Sequence, residues 1–416
     1  MGPGSPSGPS AWGSVRKLRL MRYVVVGAGI LGLATARQIA RDAAENTEIV
    51  VLEKEPEIAA HQTTHNSGVV HAGIYYAPGS LKARLCRRGL GLLRDFCAAH
   101  ALPYDACGKV VVATHDGEVE PLNRLAERAA ANGVPGLRWL EAGELNTIEP
   151  NVTGVAGLHS PETAIADFRA VARALAGEIA AAGGAIRTGA GAARVHSNGR
   201  HAGVELTDGS RLEADRVIVC AGLEADRLAI ASGEPAEPRI VPFRGEYWRL
   251  RPERAHLVRG LIYPVPDPAL PFLGVHLTRK IDGSVLLGPN AVLATARDAY
   301  ERRRIDPRDI YDAITWPGTL KMLRQHWRAG VGELVRSASK RRFVREVARY
   351  VPAIGPEDVV PAPAGVRAQA IDRDGSLVDD FRLGVSGRVA WVRNAPSPAA
   401  TSCLAIAEEL LDRAAS

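Results

Sequence analysis

Three glycines between residues 27 and 32 are the first residues whose spacing indicates chemistry. Gly27, Gly29 and Gly32 form a G-x-G-x-x-G pattern that follows the apolar run 23–26 and opens a segment of helical composition. In such a loop the first glycine permits a tight turn, the second lets the backbone approach a pyrophosphate, and the third lets the helix pack closely. Amides at the helix N-terminus then face the diphosphate. The pattern therefore predicts a dinucleotide site at the end of the first strand.

An acidic residue closes the unit that begins with the glycine loop. Glu53 directly follows a second apolar run at 48–52 and lies 21 residues beyond Gly32. A carboxylate there accepts hydrogen bonds from ribose hydroxyls, and its charge would repel a 2′-phosphate. Glycines alone do not separate FAD from NAD. A further apolar strand at 216–220, which ends at Ala221 and Gly222, returns to the same layer, and this combination suits an extended FAD.

The elements that must position these residues predict an α/β protein. We expect a Rossmann-like FAD-binding layer assembled from discontinuous segments, because strand and helix patterns alternate at both ends and in the middle of the chain. An inserted α+β substrate domain with an antiparallel sheet is expected because alternating strands fill residues 238–289. The predicted bounds are 1–20 for a disordered extension, 21–100, 155–236 and 350–416 for the FAD-binding domain, and 101–154 and 237–349 for the substrate domain.

Composition excludes several classes of protein. With 46% hydrophobic and 24% charged residues the chain is typical of globular proteins, not of disordered, collagen-like or coiled-coil ones. Residues 1–20 lack the apolar stretch of a signal peptide, and no apolar run reaches the roughly 18–20 residues that spanning a bilayer needs. The five cysteines form no C-x-x-C pair and no cluster at metal-ligand spacing. We therefore expect free thiols, no metal and a cytoplasmic location.

Positive charge is concentrated between residues 300 and 350. This segment has thirteen Lys and Arg against six Asp and Glu, in a chain whose net charge is +6. Trp316, Trp327 and Phe343 are interleaved with the cations. Two interpretations remain open: a solvated helical face, or a docking surface for anionic lipid at the inner face of a membrane or for an acidic partner. No nucleic-acid-binding motif accompanies the patch, so we expect no nucleic-acid partner.

Two longer runs carry a more specific signal than the glycine loop. Residues 61–76 read His-Gln-Thr-Thr-His-Asn-Ser-Gly-Val-Val-His-Ala-Gly-Ile-Tyr-Tyr, and residues 394–401 read Asn-Ala-Pro-Ser-Pro-Ala-Ala-Thr. Together with residues 243–247, 274–279, 282–290 and 365–375 they resemble the L-2-hydroxyglutarate dehydrogenases/oxidases of the D-amino-acid-oxidase-like flavoproteins. The resemblance covers nearly everything from Met21 onward. It departs at Thr64, where a small residue such as glycine is expected.

The resemblance implies FAD-dependent oxidation of L-2-hydroxyglutarate to 2-oxoglutarate. A hydride leaves the carbinol carbon for the flavin while a base takes the hydroxyl proton, and histidine suits that base. His71 and His276 are the candidates; in some relatives the histidine that matches His71 carries the flavin covalently. A dicarboxylate needs fixed cations, and the planar fork of arginine clamps a carboxylate, which favours Arg279 and Arg367.

The candidate FAD contacts extend well beyond the glycine loop. They are Gly27, Gly29, Gly32, Glu53, Lys54, Thr64, Asn66, Ser67, Gly68, His71, Val195, Ala221, Gly222, Arg367, Pro396, Ser397, Pro398, Ala399 and Thr401. We expect a helix from about Pro398, capped by Ser397, whose N-terminal amides face the negative charge of reduced flavin.

Other functions remain open on the sequence. One is an amine or amino-acid oxidase of the same flavoprotein group, which would need one arginine for its substrate rather than two. Another is a non-catalytic dinucleotide-binding module that docks partners through residues 300–350. The electron acceptor is also open, because oxygen, a quinone and an electron-transfer protein all suit a reduced flavin.

Overall fold

The computed structural model of this chain describes residues 21–42, 46–267 and 273–415. The predicted extension at 1–20 lies outside the described residues. Within the described residues, no helix combines the length and apolarity that crossing a bilayer requires.

The β-strands account for most of the framework of the site. In chain order they are β1 Met21–Val26, β2 Thr47–Leu52, β3 Val69–Val70, β4 Tyr104–Asp105, β5 Lys109–Ala113, β6 Arg138–Glu141, β7 Ala156–Ser160, β8 Ala164–Ala166, β9 Ala185–Arg187, β10 Ala192–Ser197, β11 Ala202–Leu206, β12 Arg211–Ala214, β13 Arg216–Val219, β14 Arg239–Leu250, β15 Leu261–Pro264, β16 His276–Arg279, β17 Val285–Gly288, β18 Val292–Leu293, β19 Val359–Ile371, β20 Arg382–Ser386 and β21 Val389–Asn394.

The α-helices pack on these strands. They are α1 Ile30–Asp42, α2 Leu81–Ala99, α3 Val119–Ala131, α4 Ala142–Ile148, α5 Phe168–Ala181, α6 Ala225–Ala231, α7 Pro307–Thr315, α8 Pro317–Ala338, α9 Lys340–Ala348 and α10 Cys403–Ala415. Short 3₁₀ turns lie at Asp116–Glu118, Gly222–Glu224, Pro252–Leu257 and Pro356–Asp358.

A six-stranded sheet holds the nucleotide-binding unit. Its order is β20-β21-β13-β1-β2-β9, and every pairing is parallel except β20 with β21. The inner strands are apolar on both faces because α1, α2, α5 and α10 cover one face and the small sheet β10-β11-β12 covers the other. The predicted Rossmann-like layer is confirmed, including its assembly from segments far apart in the chain.

A nine-stranded mixed sheet forms the second layer. Its order is β18-β14-β17-β16-β15-β5-β7-β6, and the ninth strand, β19, lies off this path and pairs with β14. Alternate residues of β5 and β15 divide between two cores: Val111 and Leu261 face the nucleotide-binding unit, whereas Val110 and Ile262 pack towards α9. One face of this sheet is therefore directed at the cofactor layer.

The predicted segment boundaries misplaced two strands. β7 and β19 fall in segments assigned to the FAD-binding domain, but both hydrogen-bond within the nine-stranded sheet. The local pattern of a strand shows that it is buried, not which strand it pairs with. β19 also contains two prolines and a glycine, which obscured its full length of 13 residues.

The last predicted helix begins later than expected. Residues 397–402 form turns, and α10 starts only at Cys403, so Ser397 is not its cap and Pro398 is not in its first turn. The amides of Ala399 and Ser402 are taken by the carbonyls of Pro396 and Pro398. The expectation of a helix N-terminus at Pro398 was therefore wrong.

Candidate active site

The glycine loop is closed against the neighbouring strand. Gly27 has φ +99°, and a Cβ there would lie 2.4 Å from the carbonyl oxygen of Cys220 at the end of β13. A Cβ on Gly32 would lie 1.8 Å from the carbonyl oxygen of Gly27. Only glycine allows this packing, which brings the N-terminus of α1 against the ends of β1 and β13.

Glu53 is buried beside this loop. One of its carboxylate oxygens accepts from the amide of Ala28 at 2.8 Å, and the other accepts from the amide of Glu55 at 3.0 Å. The side chain thus ties the end of β2 to the glycine loop. The amide of Ile30, in the first turn of α1, donates to Thr63 Oγ1 at 3.0 Å, which brings residues 61–68 to the same place.

One large cavity runs from the glycine loop to the second sheet. Its volume is about 1160 Å³, above the roughly 300–1,000 Å³ of most small-molecule sites. It therefore has room for an extended dinucleotide and a small substrate together. The candidate residues that line it are Gly27, Gly29, Glu53, Lys54, Asn66, Ser67, His71, Ala221, Gly222, His276, Arg367, Pro396, Ser397, Pro398, Ala399 and Thr401.

Five candidates lie elsewhere. Gly32 packs on the glycine loop from behind, and the Thr64 hydroxyl donates to the carbonyl of Ala59 at 3.0 Å. Gly68 is the main-chain partner of Asn66, and Val195 packs in the core under the small sheet, with Ala192 and Ala193 at the cavity instead.

Arg279 is the fifth, and it points away from the cavity. It pairs with Asp105 at 2.9 Å, outside the cavity wall. The reason is strand alternation: Arg279 lies three residues after His276, so the two side chains leave β16 on opposite faces. The prediction that Arg279 clamps a substrate carboxylate is not supported by this placement.

His71 joins the two specific sequence runs. Its amide donates to Thr401 Oγ1 at 3.0 Å, and its Nε2 lies 3.3 Å from Ser397 Oγ. Burial and the nearby charges of Lys109, His276 and Lys82 lower the pKa of His71 well below its ordinary value. The imidazole is therefore neutral in this environment.

His276 is held in a defined tautomer on the second sheet. Its Nδ1 lies 2.9 Å from the carbonyl oxygen of Gly274, and since a carbonyl only accepts, Nδ1 carries the proton. Nε2 then has a free lone pair. Burial, assisted by the charges of Lys109 and Arg367, lowers the pKa of His276 to about 3. The ring stacks on Tyr263, with centroids 3.9 Å apart.

Arg367 brings positive charge to the same end of the cavity. It lies on β19 opposite Phe243 of β14 and lines the cavity. Its charge acts on His276 and on the phenols of Tyr247 and Tyr263. The structure thus brings His276 and Arg367 together, as the sequence runs containing them indicated.

Asn66 has a supporting role in the loop that it occupies. Its amide nitrogen donates to the carbonyls of Gln62 and Thr63, and its oxygen accepts from the amide of Gly68 at 2.8 Å. These hydrogen bonds fix the conformation of residues 62–68. They thereby also fix the direction in which the chain enters β3.

The family follows from comparison with known proteins. A model of the family described as FAD dependent oxidoreductase matches residues 22–413. The chain is 46% identical over 409 residues to the mitochondrial L-2-hydroxyglutarate dehydrogenase of Nematostella vectensis, covering 94% of this chain and 90% of that one. It is 44% identical over 391 residues to the L-2-hydroxyglutarate dehydrogenase of Escherichia coli K12, covering 94% and 92%.

The chain belongs to the FAD-dependent oxidoreductase family. Among solved structures, the L-α-glycerophosphate oxidase of Mycoplasma pneumoniae with FAD bound matches with a TM-score of 0.76 at 21% identity, over 95% of this chain and 94% of that one. Glycine oxidase of Geobacillus kaustophilus matches with a TM-score of 0.68 at 18% identity, over 95% of each chain. These two likenesses support the fold of this oxidoreductase. Because the matching family model describes FAD-dependent enzymes, its cofactor is FAD.

The residues present fit that cofactor. The glycine loop leaves no room for a Cβ at Gly27, the first turn of α1 borders the cavity at Gly29 and Ile30, and Glu53 stands at the end of β2. The cavity continues past His71 to His276, so an extended molecule that starts at the glycine loop reaches the second sheet.

Sequence reasoning missed several residues of the oxidoreductase site. Lys82, near the start of α2, lines the cavity and pairs with Asp379 at 2.8 Å. Tyr263 lines it beneath His276, and Lys109 is buried behind Tyr263. Lys82 lies six residues beyond the run that ends at Tyr76. Tyr263 and Lys109 belong to strands, and only the pairing of the sheet determines which way their side chains point.

Proposed function

We propose that this flavoenzyme oxidises L-2-hydroxyglutarate to 2-oxoglutarate. The observation that carries the proposal is the presence of a neutral His276 and of Arg367 at one end of the FAD cavity. The names of relatives at 42–46% identity over nearly the whole chain support the choice of substrate. FAD supplies the chemistry of accepting a hydride from the carbinol carbon.

His276 takes the hydroxyl proton in this proposal. Its Nδ1–H is engaged by the carbonyl of Gly274, so the free lone pair of Nε2 is the acceptor. The low pKa of His276 keeps the lone pair available before substrate arrives. A substrate with two carboxylates brings negative charge that raises this pKa, which favours proton transfer once the substrate is bound.

Arg367 binds a substrate carboxylate. Its guanidinium can clamp the two oxygens of one carboxylate, which fixes the carbinol relative to His276. His71, Ser397 and Thr401 hold the opposite wall of the cavity together through the contacts described above. Gly27, Gly29, Glu53, Ala221 and Gly222 would hold the ADP half of FAD, and Pro396–Thr401 with His71 its ring end.

An amine or amino-acid oxidase is the competing function. Its substrate carries an amino group and a single carboxylate, for which one cation suffices. The two functions were expected to differ in whether one or two arginines bind the substrate. Because Arg279 lies outside the cavity, it does not distinguish them. The basic character of the His276 end therefore depends on Arg367 together with Lys109, and this favours a dianionic substrate.

Steady-state oxidation with an artificial dye as acceptor tests the proposal. L-2-Hydroxyglutarate is expected to be turned over, with D-2-hydroxyglutarate, lactate, malate and amino acids at least about a hundredfold poorer in kcat/KM. Equal or faster oxidation of an amino acid would assign the competing function instead.

We further propose that residues 305–334 contact a membrane surface. Of the eleven large hydrophobic side chains that are exposed in the described residues, eight lie here: Ile305, Tyr311, Ile314, Leu320, Leu323, Trp327, Val331 and Leu334. Those of α8 recur every three or four residues on each side of a kink at His326, as on one side of each helical part. A patch of this size on a helical surface is typical of an interaction site.

Charge favours an anionic lipid surface as the occupant of this patch. Lys321, Arg324 and Arg328 are exposed among the apolar side chains, and none of them has a carboxylate within 4 Å in the described part of the chain. Trp316 and Phe343, the other aromatic residues expected among these cations, are buried and do not contribute to the patch. Basic and apolar side chains together are the composition of interfacial helices. A quinone dissolved in the bilayer would then be the electron acceptor.

Vesicle sedimentation tests the membrane contact. The protein is expected to pellet with phosphatidylglycerol vesicles at low salt and to remain in solution with phosphatidylcholine. The double variant Trp327→Ser/Leu334→Ser should weaken binding roughly tenfold or more. Val385→Ser, an exposed position on β20, is the matched control and should bind as wild type. Wild-type protein that stays in solution with anionic vesicles would exclude this surface.

A further inference from the structure

Lys109 is a buried lysine in the middle of the nine-stranded sheet. It opens β5, opposite Leu261 of β15 and Ser160 of β7, and is 1% exposed. Within residues 21–42, 46–267 and 273–415, no carboxylate lies within 4 Å of its Nζ. An ammonium buried without a counterion is costly to the folded protein, so such a residue calls for an explanation.

Aromatic rings surround the Lys109 ammonium. Nζ lies 4.0 Å from the ring centroid of Tyr263 and 5.1 Å from that of Tyr75. His276 also stacks on Tyr263, at 3.9 Å with 19° between the ring planes. Two groups at this distance cannot share one face of a ring. Lys109 and His276 therefore lie on opposite faces of Tyr263, and the lysine charge is one ring away from the candidate base.

The groups around Lys109 include no negative partner. Burial lowers the pKa of Lys109 to about 7, and its positive charge lowers the pKa of both His71 and His276. Besides one another, the titratable and charged groups that act on Lys109, His71 and His276 are Lys82 and Cys86 of α2, Cys107 in the loop before β5, and Arg367 of β19. The phenols of Tyr75 and Tyr263 also face Lys109, and burial raises their pKa values, so they are neutral.

The charge of Lys109 thus has no balancing group among the described residues, and an anionic ligand would supply one. Arg367 serves one carboxylate in the proposed function, and Lys82 is already paired with Asp379. Tyr75 Oη is buried without a hydrogen-bond partner in the described structure, so a donor is also available beside the lysine. Together these features point to a second anionic group on the substrate.

We propose that Lys109, acting across the Tyr75–Tyr263 pair, is the positioning residue that makes this site select substrates with a second carboxylate. The inference rests on the proposed function, because it concerns the carboxylate remote from the carbinol carbon. Lys109 does not touch the reacting atoms. In its protonated form it supplies a positive charge behind the cavity wall, where the low dielectric makes that charge effective over one ring diameter.

The test compares holoenzymes that carry Lys109→Met and Lys109→Arg with wild type. The substrates are L-2-hydroxyglutarate and L-2-hydroxypentanoate, in which a methyl group replaces the remote carboxylate. Lys109→Met should lose about 10- to 50-fold in kcat/KM for the dicarboxylate and less than about threefold for the monocarboxylate. Lys109→Arg keeps the charge and should restore most of the preference.

Two further readouts separate this role from a packing role. In Lys109→Met the acid limb of kcat/KM should move to higher pH, because His71 and His276 lose a neighbouring positive charge and their pKa values rise. The Kd of 2-oxoglutarate, measured by calorimetry, should weaken by a similar 10- to 50-fold, with the Kd of 2-oxopentanoate nearly unchanged. Flavin content and thermal unfolding report whether each variant is folded, and Lys109→Gln replaces Lys109→Met if the latter is not.

The outcomes distinguish this inference from the function on which it rests. If wild type does not oxidise L-2-hydroxyglutarate, the proposed function fails. If wild type does so, but a folded Lys109→Met or Lys109→Gln variant loses both substrates equally, or keeps the preference for the dicarboxylate with an unmoved acid limb, the role of Lys109 is overturned.

Discussion

The glycine loop and the cavity-facing side of the nine-stranded sheet meet at the same cavity but are held in different ways. The loop comes from one short stretch of chain, and main-chain contacts hold it: Gly27 against Cys220, and the amide of Ala28 on Glu53. The sheet face combines side chains of four strands, Lys109, Tyr263, His276 and Arg367, that are far apart in sequence.

This difference predicts two kinds of mutational effect. Main-chain atoms in the loop are too closely packed to move aside for an added side chain, so a substitution in the loop should abolish cofactor binding. Side chains on a sheet face act as separate groups on the substrate, so each change there should alter rate or specificity while FAD stays bound.

Gly27→Ala should produce protein without FAD. The new Cβ would lie 2.4 Å from the Cys220 carbonyl oxygen, in a backbone conformation with φ +99° that side chains disfavour. The visible flavin spectrum of the purified protein measures the effect. Gly209→Ala is the control, because Gly209 has φ +83° in a hairpin turn with nothing near its Cβ, and it should retain FAD. Full flavin occupancy in Gly27→Ala would contradict the packing argument.

His276→Gln should retain FAD but lose roughly 10²- to 10⁴-fold in kcat, because it removes the proposed proton acceptor. Rapid-reaction measurement of flavin reduction by L-2-hydroxyglutarate isolates this step. His61→Gln, at a histidine elsewhere in the cavity that contacts Glu55, is the comparison and should be reduced at nearly the wild-type rate. Comparable losses in both variants would remove His276 from the base role.

Arg367→Met should lower kcat/KM for L-2-hydroxyglutarate roughly 10- to 150-fold, since hydrogen bonds to charged groups contribute about 1.5–3 kcal/mol. Most of the loss should be in KM, with flavin content unchanged. A variant that keeps the wild-type KM would show that the carboxylate binds elsewhere on the sheet face.

The pH profile should reflect the low pKa of His276. The base works only when neutral, and its pKa of about 3 in the free enzyme means that protonation does not remove it near neutral pH. We expect kcat/KM to rise as the pH falls through about 7, where Lys109 gains its charge, then to stay level to about pH 5 and to decline only below that. An acid limb near the ordinary histidine pKa of about 6.5 would mean that His276 is not held as described.

Arg279→Met should have the smallest effect, less than about threefold in kcat/KM, because its guanidinium pairs with Asp105 outside the cavity. Comparing the Arg279→Met and Arg367→Met variants directly tests which side chains of β16 and β19 point into the cavity. A loss in Arg279→Met as large as that in Arg367→Met would place both arginines at the substrate.

The division between the two regions also explains what the sequence could predict. The glycine loop, Glu53 and the parallel strands follow local rules, so their positions were readable and are observed. Arg279 was misjudged because His276 and Arg279 lie three residues apart on one strand, so only one of them can face the cavity. Which one does so depends on the register of β16 in the sheet. Lys109 and Tyr263 gave no local signal, because their importance arises from the pairing of β5 with β15. The late start of α10 depends on turns at 397–402 that the proline pattern did not reveal.

Anaerobic reduction of the bound flavin is the most direct test of the central claim, that the sheet face directs oxidation of a dicarboxylate 2-hydroxy acid. Wild-type holoenzyme mixed with L-2-hydroxyglutarate without oxygen should lose its visible flavin absorbance within seconds and yield 2-oxoglutarate, while His276→Gln with the same FAD content should bleach roughly 10²-fold or more slowly. Wild-type flavin that stays oxidised with L-2-hydroxyglutarate but bleaches with an amino acid would contradict the account.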